Sequence, residues 1–333
     1  MMANNKKKLL SIIKNIQDKR VVVVGDIVAD IYLHGNIERI SREAPVLVLQ
    51  QADEKIIAGG AANVVNNIAT LGGHVSAIGL LGDDRASAGL IEILQANKAD
   101  TSGLLISDER TTITKTRVIA GGRATVSQQI VRIDHDNHEP MNDADEQKLF
   151  NKLQAVLPAS QAVVLSDYGS GTITPAIRRM IIDYSNQNNI PCIVDSRYSI
   201  RDFTGVTYVK QNDAELSAAV GMAIQNGADL IAAAKILLKE MQAKGILVTR
   251  GEQGMTLFES NGRISNIPVT DKSEVYDVSG AGDTCVAAFI LAIAGDEDPA
   301  LAAELANYAA GIAVRKMGTA TVSMQELINI LEK

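Results

Sequence analysis

The sequence has no tryptophan, only 3% aromatic residues, seven prolines and two cysteines. Cys192 and Cys285 stand far apart in apolar stretches. They offer no disulfide framework or cysteine-based metal centre, and read as small buried residues in a reducing compartment. Positive charge is also short. Against 39 Asp+Glu there are 32 Lys+Arg, a formal net charge of −7, which argues against a broad basic surface for nucleic acid or anionic membrane. No apolar run approaches the roughly 18 residues that span a bilayer. The first residues carry Lys6, Lys7 and Lys8 ahead of Leu9, Leu10, Ile12, Ile13 and Ile16, without the core and cleavage site of a signal peptide. An amphipathic helix and a cytoplasmic location are the expectation.

Length and glycine are present instead. A chain of 333 residues buries roughly 75% of its unfolded surface and holds a core without staples. Short β-branched runs recur at Val21–Val24, Val75–Leu80, Ala162–Leu165, Cys192–Val194, Val206–Val209 and Ile246–Thr249. Helical periodicity fills Ala61–Leu71, Arg85–Asn97, Asp143–Leu157, Pro175–Asn186 and Ala228–Met241. Buried strands alternating with helices predict an α/β fold: a central, mostly parallel sheet covered by helices on both faces. After about residue 280 only Ala-rich helices follow. Two stretches, 31–51 and 111–134, alternate like half-exposed strands with no helix between. They predict a small antiparallel sheet acting as a lid, within one domain covering residues 1–333.

The sharpest local signal is Asp277-Val278-Ser279-Gly280-Ala281-Gly282-Asp283-Thr284, followed by a helix of small residues. Gly280 and Gly282 let a ligand approach the backbone, and the first helical turn presents free N–H groups at the positive end of the helix dipole. Such a turn binds phosphate. Asp283 would repel a resting phosphate, yet it suits a transferring one if it accepts the proton of the attacking hydroxyl. A helix cap is the plainer reading of Asp283 alone, but does not explain Gly-Ala-Gly flanked by acids. A second turn, Gly59-Gly60-Ala61-Ala62-Asn63, opens a helix, and Asn63 offers a donor and an acceptor to sugar hydroxyls. Gly25-Asp26 ends the first strand with Asp30 four residues on, as a hydroxyl clamp or as a turn former. Neither a Walker A motif nor a complete G-x-G-x-x-G is present, so a nicotinamide-dependent oxidoreductase loses support. His135-x-x-His138 sits in a polar loop without a cysteine nearby and reads as surface.

Together these features resemble the ribokinase-like, or PfkB, family of carbohydrate kinases over nearly the whole chain. Gly25-Asp26 with Asp30 resembles the sugar-binding strand end, Gly59–Asn63 the first signature and Asp277–Thr284 the second. Asn212-Asp213-Ala214-Glu215 resembles the family's Asn-x-x-Glu element, and Thr249–Gly254 the loop lining its ATP site. The resemblance implies a ribokinase-like fold and an ATP- and Mg²⁺-dependent enzyme acting on a sugar or sugar phosphate. It implies Asp283 as base, and Gly280, Ala281 and Gly282 as the anion hole. Glu215 would organise Mg²⁺ through water, with Asn212, Thr249, Gly251, Gly254, Asn307 and Gly311 on the ATP side. Read from residues alone, Asn212 with Glu215 is equally a capping box, and Gly251 with Gly254 a hairpin turn. A non-catalytic sugar- or nucleotide-binding protein on the same fold is the alternative.

Within the family, several stretches are most similar to the branch that phosphorylates D-glycero-D-manno-heptose 7-phosphate at its anomeric hydroxyl. They are Arg39–Ser41 with Glu43–Val46, Thr112–Lys115 with Arg117-Val118, Ser166–Gly169, Val275–Thr284 and Gly318–Ser323. Lys115 and Arg117 are then expected to face the substrate, joined by Arg132 or Arg197 at a second phosphate. The sequence departs from that branch at Ile31, Arg42, Leu47, Ser170, Ser196-Arg197 and Gln211. It contains no His-x-Gly-His, so only the kinase half of such proteins is expected. Two lid segments with exposed edges predict a homodimer paired through the lids.

Overall fold

The stripe Leu9, Ile12 and Ile13 winds into α1 (Met2–Asn15) and is buried. Val21–Val24, β-branched throughout, form the heart of β1 (Arg20–Gly25). The computed structural model describes residues 2–121, 127–137, 141–269 and 275–332; His138 and part of the second lid stretch lie outside them. After β1 come β2 (Ile27–Ile40), β3 (Leu47–Gly60), α2 (Ala61–Thr70), β4 (His74–Gly82), α3 (Arg85–Ala96) and β5 (Asp100–Ser107). The middle holds β6 (Ile113–Gly121), β7 (Gln128–His135), α4 (Asp143–Val156), β8 (Ala162–Asp167), α5 (Pro175–Gln187), β9 (Cys192–Ser196) and β10 (Tyr208–Asn212). The last third holds α6 (Asp213–Val220), α7 (Gly227–Met241), β11 (Gly245–Thr249), β12 (Met255–Glu259), β13 (Ile264–Ile267), α8 (Ala281–Ala294), α9 (Pro299–Ala313) and α10 (Met324–Glu332).

Nine strands form the main sheet in the order β13-β12-β11-β10-β9-β8-β1-β4-β5. From β5 to β11 every pairing is parallel, and only the β11–β12 and β12–β13 pairings at the edge are antiparallel. Each face buries a separate core. Val21 and Val23 pack toward α8 and its neighbours, whereas Val22 and Val24 pack toward Leu149, Leu153, Ile177, Ile181 and Leu237 of α4, α5 and α7. That is the period-2 alternation of a strand read on both sides.

Helix α8 is apolar all round and buried from Asp283 to Ala292, as suits a helix with no face to solvent. It packs against α2, α9 and β8, so that at its start Asp283 is buried while Gly280, Ala281 and Gly282 stay half-buried. Both cysteines are free and buried, and burial pushes each thiol up to about 12.

Two expected features differ. The strand expected at Val206–Val209 begins at Tyr208, after a turn at Gly205. The small sheet, β3-β2-β6-β7, is mixed rather than antiparallel: β2 pairs with β6 in parallel. Both leave the carboxyl ends of parallel main-sheet strands, β1 and β5, and so run in the same direction; each then carries its own antiparallel partner. Strands β2 and β3 also extend beyond 31–51 at both ends, because their inner ends, Ile27–Asp30 and Ala58–Gly60, are buried at the root, whereas β6 and β7 match 111–134 closely.

Phe289 of α8 is fully buried, its ring edge-on to Tyr208 of β10 at 5.1 Å and 82°. Phe289→Ala is expected to cost about 3–5 kcal/mol of stability, read as a lower urea midpoint with an unchanged slope; a loss below about 1 kcal/mol would show that the α8–sheet contact is not tightly packed.

Candidate active site

The parallel strands deliver their carboxyl ends to one edge of the main sheet, where open α/β sheets bind ligands. At the end of β1, Asp26 is fully buried. One of its oxygens accepts the N–H groups of Tyr168 (2.8 Å) and Ser170 (3.1 Å), and the other that of Thr172 (3.2 Å). Asp26 is thus the turn former. The second acid, Asp30, lies inside β2 in the small sheet.

Asp283, in the first turn of α8, is 6% exposed. Asn63 donates its amide to Oδ2 at 2.8 Å, and the Tyr168 hydroxyl donates to Oδ1 at 3.0 Å. Burial is the main cause that pushes this carboxyl up to about 6; Asp195 adds to the rise, while Asn63, Lys210 and Tyr168 oppose it. Asn63 comes from α2 with its carbonyl oxygen accepting from Asn67. The amide expected to face sugar hydroxyls therefore faces Asp283 instead, because Asn63 is fully buried. Asn67 in turn accepts from Thr284 and from the Val322 N–H, so one amide chain joins α2 to α8.

The turn before α8 needs its glycines. Gly280 has φ +77°, and a Cβ there would meet the Asn63 amide nitrogen at 2.6 Å; one at Gly282 would meet the Lys210 ammonium at 2.8 Å. Ala281 opens the helix between them. Asp277 accepts the N–H groups of Ser279 and Gly318 and so shapes the approach. Lys210, on β10, is 6% exposed and paired with Asp195 of β9 at 2.8 Å. Burial opposes its charge, but Asp195 and Glu215 outweigh that and hold the ammonium above the ordinary lysine value.

On the small-sheet side, Arg117 of β6 pairs with Asp30 at 2.6 Å, and Thr319 donates to the other Asp30 oxygen at 2.7 Å. Arg117 lies 5.2 Å from the Tyr32 ring and Lys115 4.8 Å from the Tyr168 ring. The register sets Lys115 opposite Asp134 and Arg117 opposite Arg132, and Asp134 takes both donors of Arg132 at 2.7 Å. Gly59 and Gly60 form the β3–α2 junction, where a Cβ at Gly59 would meet Asp30 at 2.7 Å. Arg197 stacks on the Tyr198 ring at 5.6 Å.

The remaining expected residues lie toward the β10–β13 side of the sheet. Asn212 and Glu215 form a complete capping box at the start of α6, with both bonds at 2.8 Å. Thr249 ends β11, and Gly251 and Gly254 turn the chain into antiparallel β12. Gly254, at φ +82°, admits no Cβ, which would lie 2.1 Å from the Ile267 carbonyl oxygen. Asn307 of α9 donates to the Pro268 carbonyl at 2.7 Å, and Gly311 follows one turn on. Sequence reasoning missed Lys210, Asp195, Tyr32 and Thr319 as parts of this cluster. Only the lysine left a signal: a charge inside the buried strand Tyr208-Val209-Lys210 needs a partner. Its partner sits across a strand pairing that sequence order does not show.

The family model described as pfkB family carbohydrate kinase matches residues 18–326. The protein of Trichlorobacter lovleyi named Bifunctional protein HldE is 39% identical over 325 residues, covering 97% of this chain and 65% of the relative. The protein of that name from Geobacter metallireducens is 39% identical over 326 residues, with the same coverage. The chain thus spans about two thirds of the length of these relatives. Phosphofructokinase-2 from Escherichia coli, in complex with substrates and products, superposes with a TM-score of 0.76 at 20% identity, covering 94% of this chain and 98% of the other. Arabidopsis thaliana ribokinase with ribose and ATP gives 0.72 at 19%, covering 95% and 99%. These two likenesses show the ribokinase-like fold.

The folded protein holds the Asp283 proton more tightly than the unfolded chain, where the ordinary value is 3.8. That stabilisation is complete below 3.8 and is lost as pH rises through about 6. Asp283→Asn, which does not ionise, is therefore expected to be more stable than the wild type at pH 8, by on the order of 3 kcal/mol. The gap should shrink toward pH 4, and urea-denaturation curves with a pH-independent gap would contradict the buried charge.

Proposed function

The chain belongs to the pfkB family of carbohydrate kinases, and on that footing we propose that it transfers the γ-phosphoryl group of ATP to the anomeric (C1) hydroxyl of D-glycero-D-manno-heptose 7-phosphate. The observation that carries the reading is a buried carboxylate, Asp283, at a helix N-terminus, linked through Tyr168 to Lys115 of a small sheet that also bears Arg117 and Arg132. Phosphoryl transfer needs a base beside an anion hole, and a sugar that already carries a phosphate needs cations. The heptose assignment draws further support from the stretches around Arg39–Ser41, Thr112–Val118 and Ser166–Gly169.

In this mechanism the C1 oxygen attacks the γ-phosphorus as the bond to the bridging oxygen of ADP breaks. The hydroxyl proton passes to the Asp283 carboxylate. By position, the N–H groups of Gly282 and Asp283 have no intrahelical acceptor and, beside Gly280, form the hole for the transferring group; the Ala281 N–H, expected there too, donates instead to the Val278 carbonyl at 3.3 Å, so Ala281 contributes only its place in the turn. Lys210, held against Gly282, adds a cation on that side. Asp30, Gly59 and Gly60 shape the sugar side, while Asn63 acts on it only through Asp283. Asn212, Thr249, Gly251, Gly254, Asn307 and Gly311 line the nucleotide side. Strands β2, β3, β6 and β7 act as a lid that excludes water, and residues 1–333 work as one kinase unit.

Mg²⁺ in such sites is held chiefly by phosphate oxygens and waters, with one or two carboxylates. No cluster of three or more His, Cys, Asp or Glu side chains able to hold a metal is found among the described residues, which suits that mode and not an all-protein cage. Glu215, half-buried beside Lys210, would hold the ion through water, and the ion would neutralise phosphate charge.

Purified protein with ATP is expected to convert the heptose 7-phosphate to a 1,7-bisphosphate in preference to unphosphorylated hexoses, ribose, nucleosides and fructose phosphates. Arg117→Ala should raise KM for the phosphorylated sugar roughly 10- to 100-fold with a smaller change in kcat. Turnover of another acceptor with none on the heptose overturns the assignment. Strand β7 is exposed along its whole length, with Ile130, Val131 and Ile133 open to solvent. A second copy paired lid to lid would cover them, so light scattering should give a two-chain mass, and Ile133→Lys the mass of one; a wild-type monomer rejects the pairing.

A further inference from the structure

The buried Asp26 is left without a chemical role by this mechanism. A carboxylate with no exposure must be satisfied by donors, and its donors all come from one short loop, through the N–H groups of Tyr168, Ser170 and Thr172. Gly169 and Gly171, at φ +80° and +81°, turn alternate amides to the same side, a geometry other residues adopt only under strain. The intervening Gly169 N–H goes the other way, to Asp167 at 3.0 Å, whose second oxygen is held by Ser196 at 2.6 Å. Two carboxylates thus fix a loop whose side chain Tyr168 reaches Asp283.

We propose that Asp26 is a positioning residue for the base: it gathers the 168–172 amides and so holds the Tyr168 hydroxyl on Asp283 Oδ1. The proposal rests on Asp283 as the base. Tyr168 is the partner that can be removed without emptying the core, because it is half-buried and its ring lies under Lys115. Desolvation and the Asp283 charge push the Tyr168 phenol well above its usual value, so it stays a donor, and a donor to a carboxylate favours the charged form. The other groups around Asp283 are Asn63 of α2, Asp195 of β9 and Lys210 of β10, with Asp30 of β2 and Lys115 of β6 beyond Tyr168. None of these is held by Asp26, so loosening the loop acts on Asp283 through Tyr168 alone.

The test is a carboxyl ¹³C titration of Asp283 in the ligand-free protein, with its signal assigned by loss in Asp283→Asn. Tyr168→Phe is expected to move the midpoint up by about half a unit to one unit. Asp26→Asn should move it in the same direction, and the double variant no further than Tyr168→Phe alone, since both act on one bond. Gly169→Ala strains the same loop without touching Asp26 and is expected to shift the midpoint likewise, should Asp26→Asn not fold. A wild-type midpoint in folded Asp26→Asn, or additive shifts in the double variant, overturns the proposal. The acid limb of kcat/KM separates the two readings, because substrate phosphates titrate identically with every variant. A limb that follows the shifted midpoint supports both; a shifted midpoint with an unmoved limb supports the positioning and overturns Asp283 as the base.

Discussion

The candidate site depends on a carboxylate kept out of water. Asp283 lies in the first turn of a helix with no solvent face, and two neutral donors, Asn63 and Tyr168, hold its two oxygens. The helix N-terminus favours the charge and burial opposes it, so the carboxyl settles near 6 instead of 3.8. A surface aspartate is a weaker base, and a fully apolar cage would leave it protonated at neutral pH. A group balanced between these limits suits proton acceptance from an alcohol.

Much of the surrounding architecture serves that balance. Asn63 reaches Asp283 because Asn67 ties α2 to Thr284, and Tyr168 reaches it because Asp26 fixes the loop after β8. The Lys210–Asp195 pair brings a buried cation against Gly282 at little net charge. On the opposite side the small sheet carries like charges across a strand pair, Arg117 opposite Arg132, an arrangement that costs stability unless acids intervene. Asp30 and Asp134 supply them. That placement keeps cations concentrated on a protein whose net charge is −7.

Gly59 and Gly280 both suggest close approach by a ligand, yet the first groups that an added Cβ would meet are protein atoms, Asp30 and Asn63. Close approach in this fold begins as packing between its own elements. The same holds for Asn212 and Glu215, where the capping box that the spacing allows is formed outright. The lid was legible as alternating strands but not in its direction, since alternation reports which face is buried and is silent on what lies beside it.

By itself the sequence determined the class of fold and the motif that carries the chemistry. β-branched runs and helical periods are local, and Gly280–Asp283 is contiguous, so both survive without knowledge of what packs where. The tertiary structure alone decided the partners. Asn63 and Asp283 are 220 positions apart, Asp30 and Thr319 289 apart, and Lys210 meets Asp195 only through the register of β9 and β10. Burial that raises one carboxyl, and acids that hold a neighbouring buried ammonium protonated against that same burial, are properties of the assembled interior, where distance and solvent access set the charge, and no local pattern of residues encodes them.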